Sequence, residues 1–299
     1  MNWVRIVAVI AVCAGLAGPA LAQDSPALRP SSPWTLDYDA DSCALRRLFG
    51  EGEERAYLEI RRFDRGLGLQ TVIATNWMTA RNRRTFRYRF NTDTEWREAE
   101  GAFALRMADG FSGVLFTPAL VELPELEEMK DPLERARYLA TLDLPALEDE
   151  AARPTDAITL IGAFRREITL ELGAFGPPLK ALRDCVEELR THWDIDVEAH
   201  ETLTRKAEPV NLDEVPRMMS YPPKMLREGL QGVVNVRLDV DPTGRITECH
   251  IQMPLSDPEF EESSCADIQH ALDFDPALDK DGNPIPSYWT TRVVFQLGR

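Results

Sequence analysis

Residues Gly232–Val240, GVVNVRLDV, set Val234, Val236, Leu238 and Val240 at alternate positions with Asn235, Arg237 and Asp239 between them. A period of two marks a strand with one apolar face, and a slip of one residue would turn that whole face to water, so this stretch tolerates a single register. Asp241–Gly244, DPTG, is turn chemistry, and Arg245–Ile251, RITECHI, returns as a second strand. Ahead of the pair, Tyr221–Pro223 predicts a turn leading into a short helix. Behind it, Cys265, Ile268, Ala271 and Leu272 recur at helical spacing, Phe274 closes the helix end, and Thr290–Leu297, TTRVVFQL, reads as a last strand. Strand, strand, helix, strand predicts a small antiparallel sheet with helices on one face and an edge to offer.

The other end of the chain sets the compartment. Met1–Gln23 carries Arg5, an apolar run from Ile6 to Leu16, and the small-residue pair Ala20 and Ala22. This predicts a cleavable secretory signal over residues 1–22 and a new N-terminus at Gln23. The run is shorter than the ~20 residues a bilayer span needs, and no later stretch is longer, so a periplasmic protein without a membrane span is expected after cleavage. An uncleaved anchor is the competing reading. The formal charge of −16 leaves no basic stripe for phosphates, which argues against nucleic acid and anionic lipid as partners.

Four cysteines follow the cut, Cys43, Cys185, Cys249 and Cys265, an even number in an oxidising compartment. A linker between the two halves favours Cys43 with Cys185 and Cys249 with Cys265 among the three pairings. The rival for the second pair is a metal site that also uses His250 and His270. Adjacent Cys249 and His250 on a strand point to opposite faces, which suits a tetrahedral ion poorly, so the reading is two disulfides, no metal and no cofactor.

Between these ends, residues 24–33, DSPALRPSSP, predict a mobile leader, with order from Trp34. Short strand-like runs follow at Ala56–Phe63, Gly68–Asn76, Thr85–Phe90, Ala102–Ala108 and Gly113–Leu120, then a helix over Asp131–Asp143, then strands within Ala157–Phe164 and Arg166–Leu172. In Thr85–Phe90 the aromatics alternate with Arg87 and Arg89, read as the solvated face of a half-buried strand. Over Gly176–Trp193, Leu179, Leu182, Val186, Leu189 and Trp193 form one apolar stripe. Cys185 lies on that stripe, within reach of a strand carrying Cys43, so the helix is read as stapled over a sheet. His192 and Trp193 read as a last-turn histidine and a packed indole. The division expected is a mostly-β α+β domain over 34–197, a linker over 198–219 and a smaller α+β domain over 220–299.

Chemistry-bearing motifs are sparse. No Gly-rich phosphate loop, nucleophile elbow or His-Glu-x-x-His helix occurs, and GFSGV at Gly110–Val114 lacks the spacing of an elbow. The chain reads as a non-enzyme with no catalytic residues.

From Ser220–Pro223, SYPP, through Arg227–Ile246, the Cys265–Leu272 helix, Phe274–Ile285 and the last strand, the order of features resembles the TonB C-terminal domain, over about residues 210–299. The resemblance implies a periplasmic peptide-recognition module associated with TonB-type transmembrane transport. Its partner would be an extended segment of an outer-membrane receptor or another envelope protein. The residues it points to are Tyr221, Pro222, Val293, Val294, Phe295, Gln296 and Leu297. The physical basis is β-augmentation, in which unpaired backbone groups of an edge strand pair with an incoming peptide. The same edge could join two copies of the chain through the last strand. Two alternatives stand beside the peptide-binding reading: a membrane-anchored energy transducer with an uncleaved N-terminal helix, and a structural domain whose edge is covered by its own Val210–Met219 segment.

Overall fold

The computed structural model describes residues 27–297 apart from 82–84, 92–93, 194, 213–214 and 254–256, so the expected signal over residues 1–22 lies outside the described residues. The N-terminal part opens with β1 (Thr35–Tyr38), β2 (Cys43–Glu51), β3 (Glu54–Arg62), β4 (Gln70–Thr75), β5 (Phe86–Phe90), β6 (Arg97–Ala99), β7 (Phe103–Arg106) and β8 (Ser112–Phe116). It continues through α1 (Glu125–Glu128), α2 (Pro132–Leu139), α3 (Leu144–Ala152), β9 (Ala157–Ile161), β10 (Ile168–Glu171), α4 (Gly176–Arg190) and α5 (Val197–His200). Short elements follow, β11 (Glu208–Pro209), α6 (Val215–Met218) and α7 (Pro223–Glu228). The C-terminal part has β12 (Gly232–Val240), β13 (Ile246–Ile251), α8 (Pro258–Ala271), β14 (Phe274–Asp275), β15 (Ala277–Leu278), β16 (Pro284–Ile285) and β17 (Ser287–Phe295).

The mixed α+β class expected from the patterning is what the chain adopts. Two antiparallel sheets, β1-β2-β3-β4-β8-β7 and β10-β9-β5-β6, share one core. Leu58, Ile60, Ile73 and Phe116 of the larger sheet meet Phe86, Tyr88, Ile158 and Leu160 of the smaller, and the α4 stripe of Leu179, Leu182, Val186 and Leu189 packs into the same core. Cys43 and Cys185 are joined, which ties α4 to β2. Cys249 and Cys265 are joined, which ties β13 to α8. Loop-closure entropy assigns about 5 kcal/mol to the first bond and about 3 to the second.

The expected mobile leader is corrected for residues 27–33. Leu28 N–H donates to Thr169 O at 2.8 Å, Glu171 N–H to Leu28 O at 3.0 Å, and Gly50 N–H to Arg29 O at 2.8 Å. Because β1 covers only the first half of β2, residues 29–31 fill the rest of that edge while Leu28 pairs with β10. Proline and serine set no obstacle where only alternate groups need partners.

In the C-terminal part the order is β13-β12-β17, all antiparallel. Val234, Val236, Leu238 and Val240 lie on the face packed by Met225 of α7 and by Phe260 and Ile268 of α8. Gly244 takes φ +84° in the hairpin turn, where a Cβ would run into the Phe274 carbonyl. Residues 208–210 of the segment expected to link the halves pair with the second one: β11 pairs with β14, and Val210 N–H donates to Asp273 O at 2.9 Å.

The other face of this sheet docks on the outer face of the six-stranded sheet. Asn235 Nδ2 donates to Gln70 Oε1 at 3.0 Å, and Arg292 Nη1 to Thr117 Oγ1 at 2.7 Å. Gln252 Nε2 donates to Asp41 O at 3.1 Å and Phe63 O at 3.0 Å, and Ser42 Oγ donates back to Gln252 O at 3.0 Å. Val233 packs with Val72, Ala74, Phe111 and Leu115. Gly113 keeps the lower surface low here, since a Cβ would come within 2.6 Å of Ala74 Cβ.

Candidate functional site

The order leaves two edge strands, β13 and β17, and the last strand is the second of them: among the described residues no strand pairs with β17 besides β12. The direction of its free backbone groups follows from one hydrogen bond. Gln252 N–H donates to Asn235 O at 2.9 Å, on the β13 side of β12. Alternation then turns Val234, Val236 and Leu238 toward β17, where they face Val293, Thr291 and Trp289. The N–H and C=O groups of Thr290, Arg292 and Val294 therefore point outward from the sheet. Val294 is 43% exposed, so the end of this edge is open to solvent.

The residues singled out from sequence take different places. Tyr221 and Phe295 come together, ring centroids 5.6 Å apart, and both rings meet Phe260. The Tyr221 hydroxyl donates to Leu230 O, and burial pushes its phenol above the ordinary value. Pro222 stands at the N-terminal cap of α7, with φ −56°. Val293 pairs with Val234 and leans on the helix-side core, whereas Val294 pairs with Val233 on the opposite face. The strand ends at Phe295; Gln296 and Leu297 lie past it, and Leu297 N–H donates to Gln231 Oε1 at 3.3 Å. The last strand thus begins at Ser287, earlier than TTRVVFQL suggests, because Ser287 and Tyr288 still pair with Val240 and Asp239.

At the start of the Val210–Met219 segment considered from sequence as a cover, Val210 N–H donates to Asp273 O and Asn211 Nδ2 to Ala271 O, both away from β17. At the start of β17 the N-terminal part closes in. Trp193 packs edge-on against Tyr288 at 4.8 Å and carries the Arg237 guanidinium over its ring at 4.6 Å. His200 Nε2 lies 3.0 Å from Ser287 Oγ, and burial holds this imidazole below its ordinary value. Thr290 Oγ1 donates to Asp64 Oδ2 at 2.8 Å. Sequence reasoning placed Trp193 as a packed indole but missed its partner across the seam, and it missed Asp64 and Thr117; isolated polar residues in loops carry no period.

One group of metal-ligand type exists among the described residues: Asp239, Glu248 and His250, with ligand atoms within 4.8 Å of one another. Arg237 already donates to Asp239, so a guanidinium competes for that carboxylate. No helix among the described residues is long and apolar enough to cross a membrane.

Residues 217–297 match the family model described as Gram-negative bacterial TonB protein C-terminal. The match spans α7, the three strands and α8, and no family model matches the N-terminal part. No curated protein matches the chain.

Proposed function

We propose that this chain is a non-enzymatic periplasmic protein that binds an extended peptide segment on the outer edge of β17. The partner is an outer-membrane receptor or envelope protein in TonB-type transport. The observation that carries the reading is the unpaired edge of β17 within the segment that matches the TonB C-terminal family. Outward N–H and C=O groups at Thr290, Arg292 and Val294 supply main-chain affinity, while Tyr221, Pro222 and Phe295 shape the end of the strand. The same reading divides the chain into domains over 34–197 and 220–299, with the boundary in 198–219.

The test is calorimetry with extended peptides taken from outer-membrane receptors. Val294→Pro removes an outward donor and no ladder bond to β12, so it should abolish binding while leaving the fold intact. Absence of binding by the unmodified protein, or unchanged binding by Val294→Pro, would sink the reading.

A further inference from the structure

The two docked sheets are in register across the seam. The Asn235/Arg292 pair lies over Gln70 and Thr117, whose strand neighbours Thr71 and Phe116 are themselves paired. One step up, Val233, the partner of Val294 in β17, packs with Val72 and Leu115, which are themselves paired. On the other flank, Gln252 lies over Phe63 at the end of β3. So β13 rides over β3, β12 over β4, and β17 over β8. The free edge of β17 therefore stands on the same side of the molecule as β7, the edge of the six-stranded sheet beyond β8.

A strand added to β17 lies about 4.8 Å farther out, and stacked sheets sit about 10 Å apart. It would run directly above β7. The β7 residues on that face are Phe103, opposite Leu115, and Leu105, opposite Gly113. Both are half-buried and join the apolar seam around Val233, with Met107 just beyond. Every second side chain of an added strand points into the gap between the sheets, where only apolar groups would meet Phe103 and Leu105.

We infer that Phe103 and Leu105 form the floor of the peptide groove, and that the segment bound there carries apolar side chains at alternate positions. The inference rests on the strand-edge reading and adds the sequence class of the partner. It also gives the N-terminal part a role, since that part supplies the selective surface while β17 supplies sequence-independent main-chain pairing. Continuity of the floor with the seam favours a partner peptide over a second copy of the chain. A second copy would bring a β17 whose Tyr288, Thr290 and Arg292 side chains already engage its own N-terminal part at Trp193, Asp64 and Thr117.

The experiment uses the full chain and two capped nine-residue peptides, one alternating threonine with valine, the other with asparagine in place of valine. Calorimetry should show the valine peptide binding about tenfold or more tightly, from burial of its inward valines. Leu105→Asn, checked for native near-UV circular dichroism, should weaken the valine peptide about tenfold; Met107→Asn, at the rim, serves as the second variant should the first not fold. Equal affinity for the two peptides, or a valine-peptide affinity unchanged by Leu105→Asn, overturns the floor and leaves strand addition standing. Failure of both peptides to bind overturns both readings. A dimer of the free protein that Val294→Pro dissociates would seat a second copy at the edge and overturn the inference.

Discussion

The two faces of β12 are built from opposite chemistry, yet both are buried. Toward the helices stand Val234, Val236, Leu238 and Val240, and toward the N-terminal part stand Val233, Asn235 and Arg237, all under a tenth exposed. Polar alternation usually marks a solvated face. Here it marks a second interface, in which each buried polar group meets a partner: Asn235 meets Gln70, and Arg237 meets Asp41 and the Trp193 ring. The helix face is held by area and packing; the seam face is held by matched hydrogen bonds with a small apolar patch at Val233. The first stabilises strongly and without direction. The second adds less net stability but fixes how the two parts sit, because an unmatched buried polar group costs more than a matched one returns.

Substitutions on the two faces should separate these contributions. Leu238→Ala, at 0% exposure on the helix face, should cost about 3 kcal/mol by denaturant unfolding. Arg237→Gln removes the bond to Asp41, 3.0 Å in length, and the cation over Trp193, and should cost about 2 kcal/mol. It should also loosen the seam, read as faster hydrogen exchange of the Gln252 side-chain amide, which donates to Asp41 O and Phe63 O. Asn235→Ala leaves Gln70 without its amide partner and should cost about 1 kcal/mol. If Asn235→Ala cost as much as Leu238→Ala, the division between the faces would fail.

The smallest effect concerns pH. Burial lowers the His200 imidazole below its ordinary 6.5, so the unfolded chain binds more protons than the native one between the two values. The contribution is complete above about 6.5 and is lost as pH falls through the folded value. The unmodified protein should lose stability in that window more steeply than His200→Gln, measured by thermal unfolding at a series of pH values. Equal slopes would remove His200 from the account.

Much of this was legible in the sequence, and what was not has physical causes. Short runs between turn residues located β3, β4, β7, β8, β9 and β10, alternation located β5 and the β12–β13 hairpin, and period 3.6 located α4 with its cysteine. A strand carrying Cys43 is expected, but the extent of β2 escaped because Cys43, Ala44 and Leu45 are buried in succession and Arg46 and Arg47 follow in succession, which breaks alternation. Helix α8 begins at Pro258, well before Cys265, because its first turns are rich in glutamate and serine and are started by Asp257, whose side chain accepts from Glu259 N–H. The docking of the two parts left no periodic trace at all. It depends on pairs such as Asn235 with Gln70, far apart in the chain and each unremarkable in its own neighbourhood. For the same reason the edge of β17 could be foreseen from sequence, and β7 could be read as a strand at Ala102–Ala108, while the side of the molecule on which β7 stands could not.

β17 keeps one ladder and one open edge, and amide hydrogen exchange resolved by residue reads the two apart. In the free protein the amides of Thr291, Val293 and Phe295 should be protected by β12, while those of Arg292 and Val294 exchange rapidly; an alternating Thr–Val peptide should then protect Arg292 and Val294. Protection of all five amides before any peptide is added would mean that the edge is already covered and that β17 offers no site for an added strand.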